Sequence, residues 1–229
     1  MWFARLLGWW CSLCSRQRLR TCGAGGPATA GLCFFCIASD PARESQGDSA
    51  LHYKHDQEGK KMLVRMATKA DAARLLEIYA YYVEHTAISF ELVVPTLSEF
   101  EGRIEHTLEK YPYLVVEEDG KIMGYSYANP FKNRAAYDHC VEVTIYMDKD
   151  AKGRGYGKAL YARLEEELRA RDIRNLYACI GDPIEEDEYL TKDSEHFHQH
   201  MGYVKVGDFH KCGRKFDRWY NMIWMEKFL

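Results

Sequence analysis

Residues 141–157 read Val141-Glu142-Val143-Thr144-Ile145-Tyr146-Met147-Asp148-Lys149-Asp150-Ala151-Lys152-Gly153-Arg154-Gly155-Tyr156-Gly157. Val141, Val143, Ile145 and Met147 alternate with Glu142, Thr144 and Tyr146, the period of a β-strand with two unlike faces. A loop of glycines and cations follows, and Leu160, Leu164 and Leu168 then mark an amphipathic helix. Strand, loop and helix in this order bring free backbone N–H groups, a helix N-terminus and positive side chains to one point. That point suits an anionic pyrophosphate. The carboxylate of Glu142, set in the strand just before, suggests chemistry beside the anchor.

Other phosphate loops fail on spacing. A dinucleotide fingerprint needs Gly or Ala at its sixth position, where this chain has Lys158, and a Walker loop needs a Gly-Lys-Ser/Thr ending that is absent. A plain strand-to-helix turn needs one glycine, not Gly153, Gly155 and Gly157 at alternate positions between cations.

Working outward, Met62 to Met66 reads as a short strand, and Thr68-x-x-Asp71 opens a helix carrying Leu75, Leu76, Tyr79 and Val83. Thr96-x-x-Glu99 opens a second helix with Phe100, Ile104 and Leu108 on one stripe. Tyr113 to Glu118 and Lys121 to Ala128 flank Asp119-Gly120, a two-residue hairpin signal. After the glycine-loop helix, Asn175 to Ile180 forms the next strand, so the strand before the loop and this one are parallel neighbours. An acidic loop at Glu185 to Glu188, a histidine-rich helix around Ser194 to His200, and strands at Tyr203 to Phe209 and Trp219 to Phe228 complete the chain. The sum is an α/β (α+β) fold: a mixed sheet with helices on both faces.

The 229 residues divide by composition. Residues 1–39 hold four arginines and no acid, whereas 62–229 hold 23 basic and 29 acidic residues. The body is therefore mildly acidic, which speaks against nucleic acid as a partner. Cys11-x-x-Cys14 and Cys33-x-x-Cys36 have a four-cysteine zinc spacing, but their flanks Trp9-Trp10 and Phe34-Phe35 are bulky and apolar, so no metal is assigned. The arginine-bearing start also fits a transit peptide. The favoured reading makes residues 1–61 an extension and linker without function, and 62–229 the folded domain. No stretch is long and apolar enough for a membrane span. Cys140, Cys179 and Cys212 are read as buried thiols, and a reducing, cytoplasmic setting follows.

Lys152-x-x-Gly155-x-Gly157 after an alternating strand resembles the coenzyme-A loop of the GNAT acyltransferases. Ala136-Tyr137-Asp138-His139-Cys140-Val141-Glu142-Val143-Thr144-Ile145-Tyr146 resembles the hallmark strand of the phosphinothricin N-acetyltransferase subfamily. Thr86 through Glu91, Ser194 through His198 to Gly202-Tyr203, and Gly213 through Phe216 resemble the same group. The resemblance implies a mostly antiparallel sheet with a splayed parallel strand pair, acetyl-CoA as cosubstrate, a small amino-acid-like amine as acceptor, and a homodimer. It implies further that Ile145, Met147, Lys152, Gly153, Arg154, Gly155, Tyr156, Gly157 and Lys158 hold the donor.

An alkyl ammonium cannot attack a thioester until a base takes its proton. Glu142 is the candidate, because its apolar neighbours Val141 and Val143 favour a raised pKa. By resemblance His198 is the acid for the leaving thiolate. His196, His198 and His200 are spaced by two, so one helix cannot aim all three at a metal. An acceptor carboxylate needs a cation, for which Lys132 and Arg134 are placed, with Phe90 and Tyr137 as pocket walls. The acidic stretch Glu185 to Glu188 leaves a polyamine or a protein N-terminus as the alternative acceptor, and a coenzyme-A-binding regulatory module as the alternative without turnover.

Overall fold

The computed structural model describes residues 52–55 and 61–229. Expectations for the cysteine pairs and the transit peptide fall on residues outside these. The described strands are β1 (His52–His55), β2 (Lys61–Met66), β3 (Tyr113–Glu118), β4 (Lys121–Pro130), β5 (Cys140–Met147), β6 (Asn175–Asp182), β7 (Val204–Lys215) and β8 (Arg218–Phe228). The helices are α1 (Ala72–His85), α2 (Leu97–Leu108), α3 (Tyr156–Arg169) and α4 (Asp193–His200). None of them is long and apolar enough to cross a membrane.

The strands form one sheet in the order β1-β2-β3-β4-β5-β6-β8-β7. Every neighbouring pair is antiparallel except β5 and β6. That exception follows from chain economy: β5 and β6 are joined through α3, and a helical crossover returns the chain in the same direction.

Local signals explain most boundaries. The Thr68 and Thr96 capping boxes both form, each hydroxyl facing a carboxylate three residues on. Asp119 (φ 50°) and Gly120 (φ 81°) make the tight β3–β4 turn. The β7–β8 turn is built differently. Phe216 (φ 49°) and Asp217 (φ 59°) take the left-handed region without a glycine.

The sheet has a core on each face. On one, α3 lays Leu160, Leu164 and Leu168 against Val141, Val143 and Leu176. On the other, α1 and α2 bury Leu75, Ile78, Phe100 and Ile104 against Tyr113, Val115 and Tyr125. Successive residues of β5 therefore serve different cores, as the alternation from Val141 to Met147 predicts.

Three expectations need correction. The sheet begins before Met62, because His52–His55 pairs with β2 inside the stretch read as linker. Its polar composition hides an edge strand. β7 runs on to Lys215 instead of stopping at Phe209, carried past an irregularity between Phe209 and Gly213. Cys179 and Cys212 are exposed rather than buried, and Cys140 is half-buried. α1 and α2 cover the β2–β5 half of the sheet, leaving the second half open where β6, β7 and β8 lie.

A non-glycine residue in the left-handed region is strained by about 1 kcal/mol or more, less for Asp than for most. Asp217→Gly is expected to stabilise the fold by roughly 0.5–1 kcal/mol, read as a higher urea midpoint with an unchanged slope.

Candidate active site

The parallel pairing of β5 with β6 is short. It comprises Cys140 with Asn175, Val141 with Leu176, and Glu142 with Tyr177. Both strands continue, β5 to Met147 and β6 to Asp182, without pairing to each other. Peptide groups facing that gap have no strand to bond, and buried peptide groups need partners. A cleft opens there, lined by Ile145 and Thr144 on one side, Ala178 and Cys179 on the other, and Tyr161 and His198 at the helical wall. Glu142 sits on the last paired rung, at the apex of the gap.

Glu142 faces the same side as Thr144 and Tyr146, whose ring contacts Tyr79 and Tyr82 of α1. The carboxyl is half-buried, and desolvation holds its pKa above the ordinary glutamate range. Lys132 pulls in the opposite direction. Its ammonium lies over the Phe131 ring at 4.8 Å and near Trp224 at 5.8 Å. Phe131 in turn stacks on Tyr177, the residue paired with Glu142. Arg134 is exposed and, among the described residues, has no acidic partner. Tyr137 is edge-on to Phe131 at 5.9 Å. Lys132, Arg134 and Tyr137 thus belong to one loop beside the carboxylate.

Phe90 does not join them. Its ring lies against Gly213 on β7, 6.3 Å from the Tyr220 ring, while the next residue, Glu91, lines a different hollow under α2.

At the far end of the cleft, Gly153 (φ 76°) and Gly155 (φ 80°) take the left-handed region that the turn into α3 requires. Gly157 is needed for space, since a Cβ there would lie 3.0 Å from the Phe197 ring of α4. The first N–H groups of α3 have no carbonyl one turn earlier, and the first turn carries no acid. This is the arrangement an anion completes. The side chains are unequal. Tyr156 is buried in the α3 core, with the Arg154 guanidinium of the loop over its ring at 5.4 Å. Arg154 is held by Glu118 at 2.7 Å and Lys152 by Asp193 at 3.1 Å, whereas Lys158 is exposed. Met147 packs its side chain against Gly124, and its carbonyl accepts the Tyr82 hydroxyl at 2.6 Å.

His198 is buried and both ring nitrogens are engaged. Nδ1 donates to the Ser194 carbonyl at 2.7 Å, which leaves Nε2 as acceptor for the Tyr161 hydroxyl at 2.9 Å. Burial lowers the ring to about 4, so it is neutral at pH 7. Tyr161 is held far above the usual phenol range and keeps its proton. Sequence reasoning followed the leucine stripe of α3 and passed over Tyr161, whose partner lies 37 residues on.

The acidic loop is engaged elsewhere. Asp187 and Glu188 pair with Arg218 at 2.9 Å, Tyr220 donates to Asp187, and Glu186 accepts the Lys192 N–H.

The GNAT acetyltransferase domain is matched over residues 64–224. Phosphinothricin N-acetyltransferase of Streptomyces coelicolor is 34% identical over 168 residues, covering 72% of this chain and 94% of that protein. The L-methionine sulfoximine/L-methionine sulfone acetyltransferase of Salmonella typhimurium is 30% identical, covering 72% and 93%. A crystal structure of a phosphinothricin acetyltransferase from Sinorhizobium meliloti in complex with acetyl-CoA superposes with a TM-score of 0.67 at 31% identity, over 73% of this chain and 88% of that one.

Lys132 favours the ionised form of Glu142, so removing its charge raises the carboxyl pKa further. In Lys132→Met, the acid limb of the kcat/KM profile for an amine acceptor is expected to move to higher pH. A limb that stays in place shows that Glu142 is not the titrating base.

Proposed function

The chain belongs to the GNAT acetyltransferases, and from that premise we propose that it transfers acetyl from acetyl-CoA to the amine of a small amino-acid-like acceptor, of the phosphinothricin, methionine sulfone or methionine sulfoximine type. The observation that carries the reading is the three-rung β5–β6 pairing, which sets Glu142 at the apex of an open cleft whose other end is the glycine loop. The named relatives act on acceptors of this kind.

The fit to acetyl-CoA rests on the unpaired strand edges and the glycine turn. A pantetheine arm has amides that can bond to such edges as an added strand does, and the backbone from Gly153 to Lys158 receives a pyrophosphate. When bound, acetyl-CoA supplies the activated acetyl group. The remaining work falls to the protein. Glu142 takes the proton of the acceptor ammonium, directly or through one water, and its raised pKa makes it a better base than an ordinary glutamate. The N–H of Ile145, on the open stretch of β5, is our candidate donor to the reacting carbonyl oxygen, a role worth about 3 kcal/mol.

The His198 assignment is refined. A neutral ring whose one proton sits on Nδ1, donated to the Ser194 carbonyl, has none to give from Nε2. We assign His198 the task of holding the Tyr161 hydroxyl, which turns its proton from Nε2 toward the sulfur as negative charge grows there. Lys132 and Arg134 receive the acceptor carboxylate, Arg134 in the bidentate manner of a guanidinium. Tyr137 walls the pocket, and Phe90 contributes only by fixing its loop.

We further propose a homodimer through the open half of the sheet. β7 is the edge strand, and Val204, Val206, Phe209 and Trp219 on the hairpin are all about half exposed or more. An edge with that much apolar surface calls for a covering partner. Free thiols at Cys179 and Cys212 suit a reducing compartment such as the cytoplasm.

The function is tested by thiol release from acetyl-CoA with methionine sulfone, methionine sulfoximine, phosphinothricin, spermidine and a short peptide. Turnover is expected with the first three, reduced at least about a hundredfold in Glu142→Gln. Turnover confined to spermidine or peptide sinks the acceptor assignment, and donor binding without turnover points to a regulatory role. For the dimer, light scattering on a sizing column is expected to give twice the chain mass, and Phe209→Glu with Trp219→Glu to give the monomer.

A further inference from the structure

Lys132 and Glu142 carry opposite charges beside one another and do not pair. The field of the ammonium reaches the carboxylate, yet among the described residues no hydrogen bond or ion pair takes up either group. A half-buried carboxylate without a partner ordinarily draws in a reachable ammonium. Here the ammonium is held by something else.

That holder is a corner of two rings. The Lys132 ammonium lies 4.8 Å from the centre of Phe131 and 5.8 Å from that of Trp224, and the rings meet at 88° with centroids 5.6 Å apart. Neither ring is loose. Phe131 stacks on Tyr177 at 4.2 Å, and Tyr177 is the β6 residue paired with Glu142. Trp224, half-buried, is the β8 residue paired with Cys179, two positions further along β6. Leu176 and Ala178 of β6 face α3, so Tyr177 and Cys179 lie on the face that carries Glu142. The corner is therefore built on the strand next to the base. Exposed cation–π contacts and exposed ion pairs are of similar strength, so two rings together can keep an ammonium that one carboxylate would otherwise take.

The other groups around Glu142 do not set its charge. On β4, Asn129 is paired with Glu142, and burial pushes the phenol of Tyr127, two residues before it, up to about 12. On β6, burial pushes the Cys179 thiol up to about 12 as well, so both are uncharged at pH 7. Glu226 on β8 is paired with Tyr177 and carries the same charge as Glu142. On the α2 side, Arg103 is taken by Glu91 at 2.8 Å and His106 faces Glu109 at 3.4 Å. Arg134, in the loop with Lys132, is exposed. Lys132 is the cation whose field acts on the base.

The separation has a use. A direct pair would hold Glu142 ionised to lower pH and make it a weaker base, and it would fill the space between the charges. A free amino acid carries its ammonium and its carboxylate on one carbon, and the gap offers an opposite charge to each. We propose that Trp224 and Phe131 are positioning residues that hold the Lys132 ammonium off Glu142, so that the base stays unpaired until the charges of an acceptor fill the gap. This rests on the acceptor class and the base proposed above, and adds what keeps the two charges apart. A polyamine brings no carboxylate and leaves the Lys132 ammonium facing another cation.

The test follows the pH titration of the Glu142 carboxyl by NMR, in protein isotope-labelled at the glutamate carboxyl carbons, with the signal assigned by Glu142→Gln. In Trp224→Leu the midpoint is expected to fall by about one unit, because Lys132 then reaches the carboxylate, and Phe131→Leu to move it the same way. Trp224→Phe keeps a ring and is expected to keep the wild-type midpoint. In the Lys132→Met background, Trp224→Leu is expected to move nothing, a result that lost packing alone does not give. In turnover with methionine sulfone, the acid limb of kcat/KM follows the midpoint, and KM rises about threefold or more in Trp224→Leu. Midpoints unmoved in both leucine variants overturn the proposal. So does a rise, which means that the rings draw Lys132 toward the base, and so does a fall that persists without Lys132. The expected midpoints with no turnover on any acceptor keep the positioning role and remove the proposed activity. Turnover with unmoved midpoints removes the positioning role alone.

Discussion

Everything functional in this fold depends on a strand pairing that stops early. β5 and β6 share three rungs and then part. Two strands entering a crossover in parallel would ordinarily stay bonded along their length, since each lost rung leaves peptide groups without partners. Beyond the last rung each strand has packing of its own. Ile145 on β5 meets α3 at Gly157, and Gly181 on β6 lies beneath the Ala87 carbonyl and Leu190. Each strand is thus fixed by its own neighbours, and the cost of the open edges is offset by the two cores. A ligand with amides of its own then finds pre-formed, unsatisfied partners rather than a surface that must be remodelled.

The alternation of β5 turns one strand into two devices. Residues facing α3 make core, and the face toward α1 and α2 carries Glu142, Thr144 and Tyr146 at alternate positions, Tyr146 packed on the second core and Glu142 proposed as the base. Because the sheet separates them, the anion loop and the base are reached along different routes. In the function proposed, the donor lies in the gap between strands and the acceptor approaches over the face. His198 shows how the same economy shapes the helical wall. A histidine with both nitrogens engaged and a low pKa serves geometry better than it serves proton exchange.

Local signals were legible in the chain. The strand period before the loop, the two capping boxes, Asp119-Gly120 and the leucine stripe of α3 each depend on neighbours within a few residues, and each formed where expected. What escaped notice was non-local or carried by unusual residues. The Tyr161–His198 bond spans 37 positions, and the stacking of Tyr113 on Tyr127 requires the β3–β4 register. The hollow lined by Tyr125, Tyr127 and Asn129 had no local signal, because it needs α2 laid across β4. Phe216-Asp217 formed a tight turn without the glycine that signals one, and β1 was masked by its polar residues. The partners of the acidic loop were hidden for a related reason: Asp187 and Glu188 answer Arg218, some 30 residues away.

The contact at Gly157 has a mechanical meaning. The first turn of α3 presses directly on Phe197, and the neighbour of Phe197 on α4 is His198. Lys152 adds an exposed tie from the loop to Asp193 at the start of the same helix, weak on its own but parallel to the packed one. The turn proposed to hold the donor and the helix that carries His198 are therefore packed as one body, and a displacement of either is transmitted to the other.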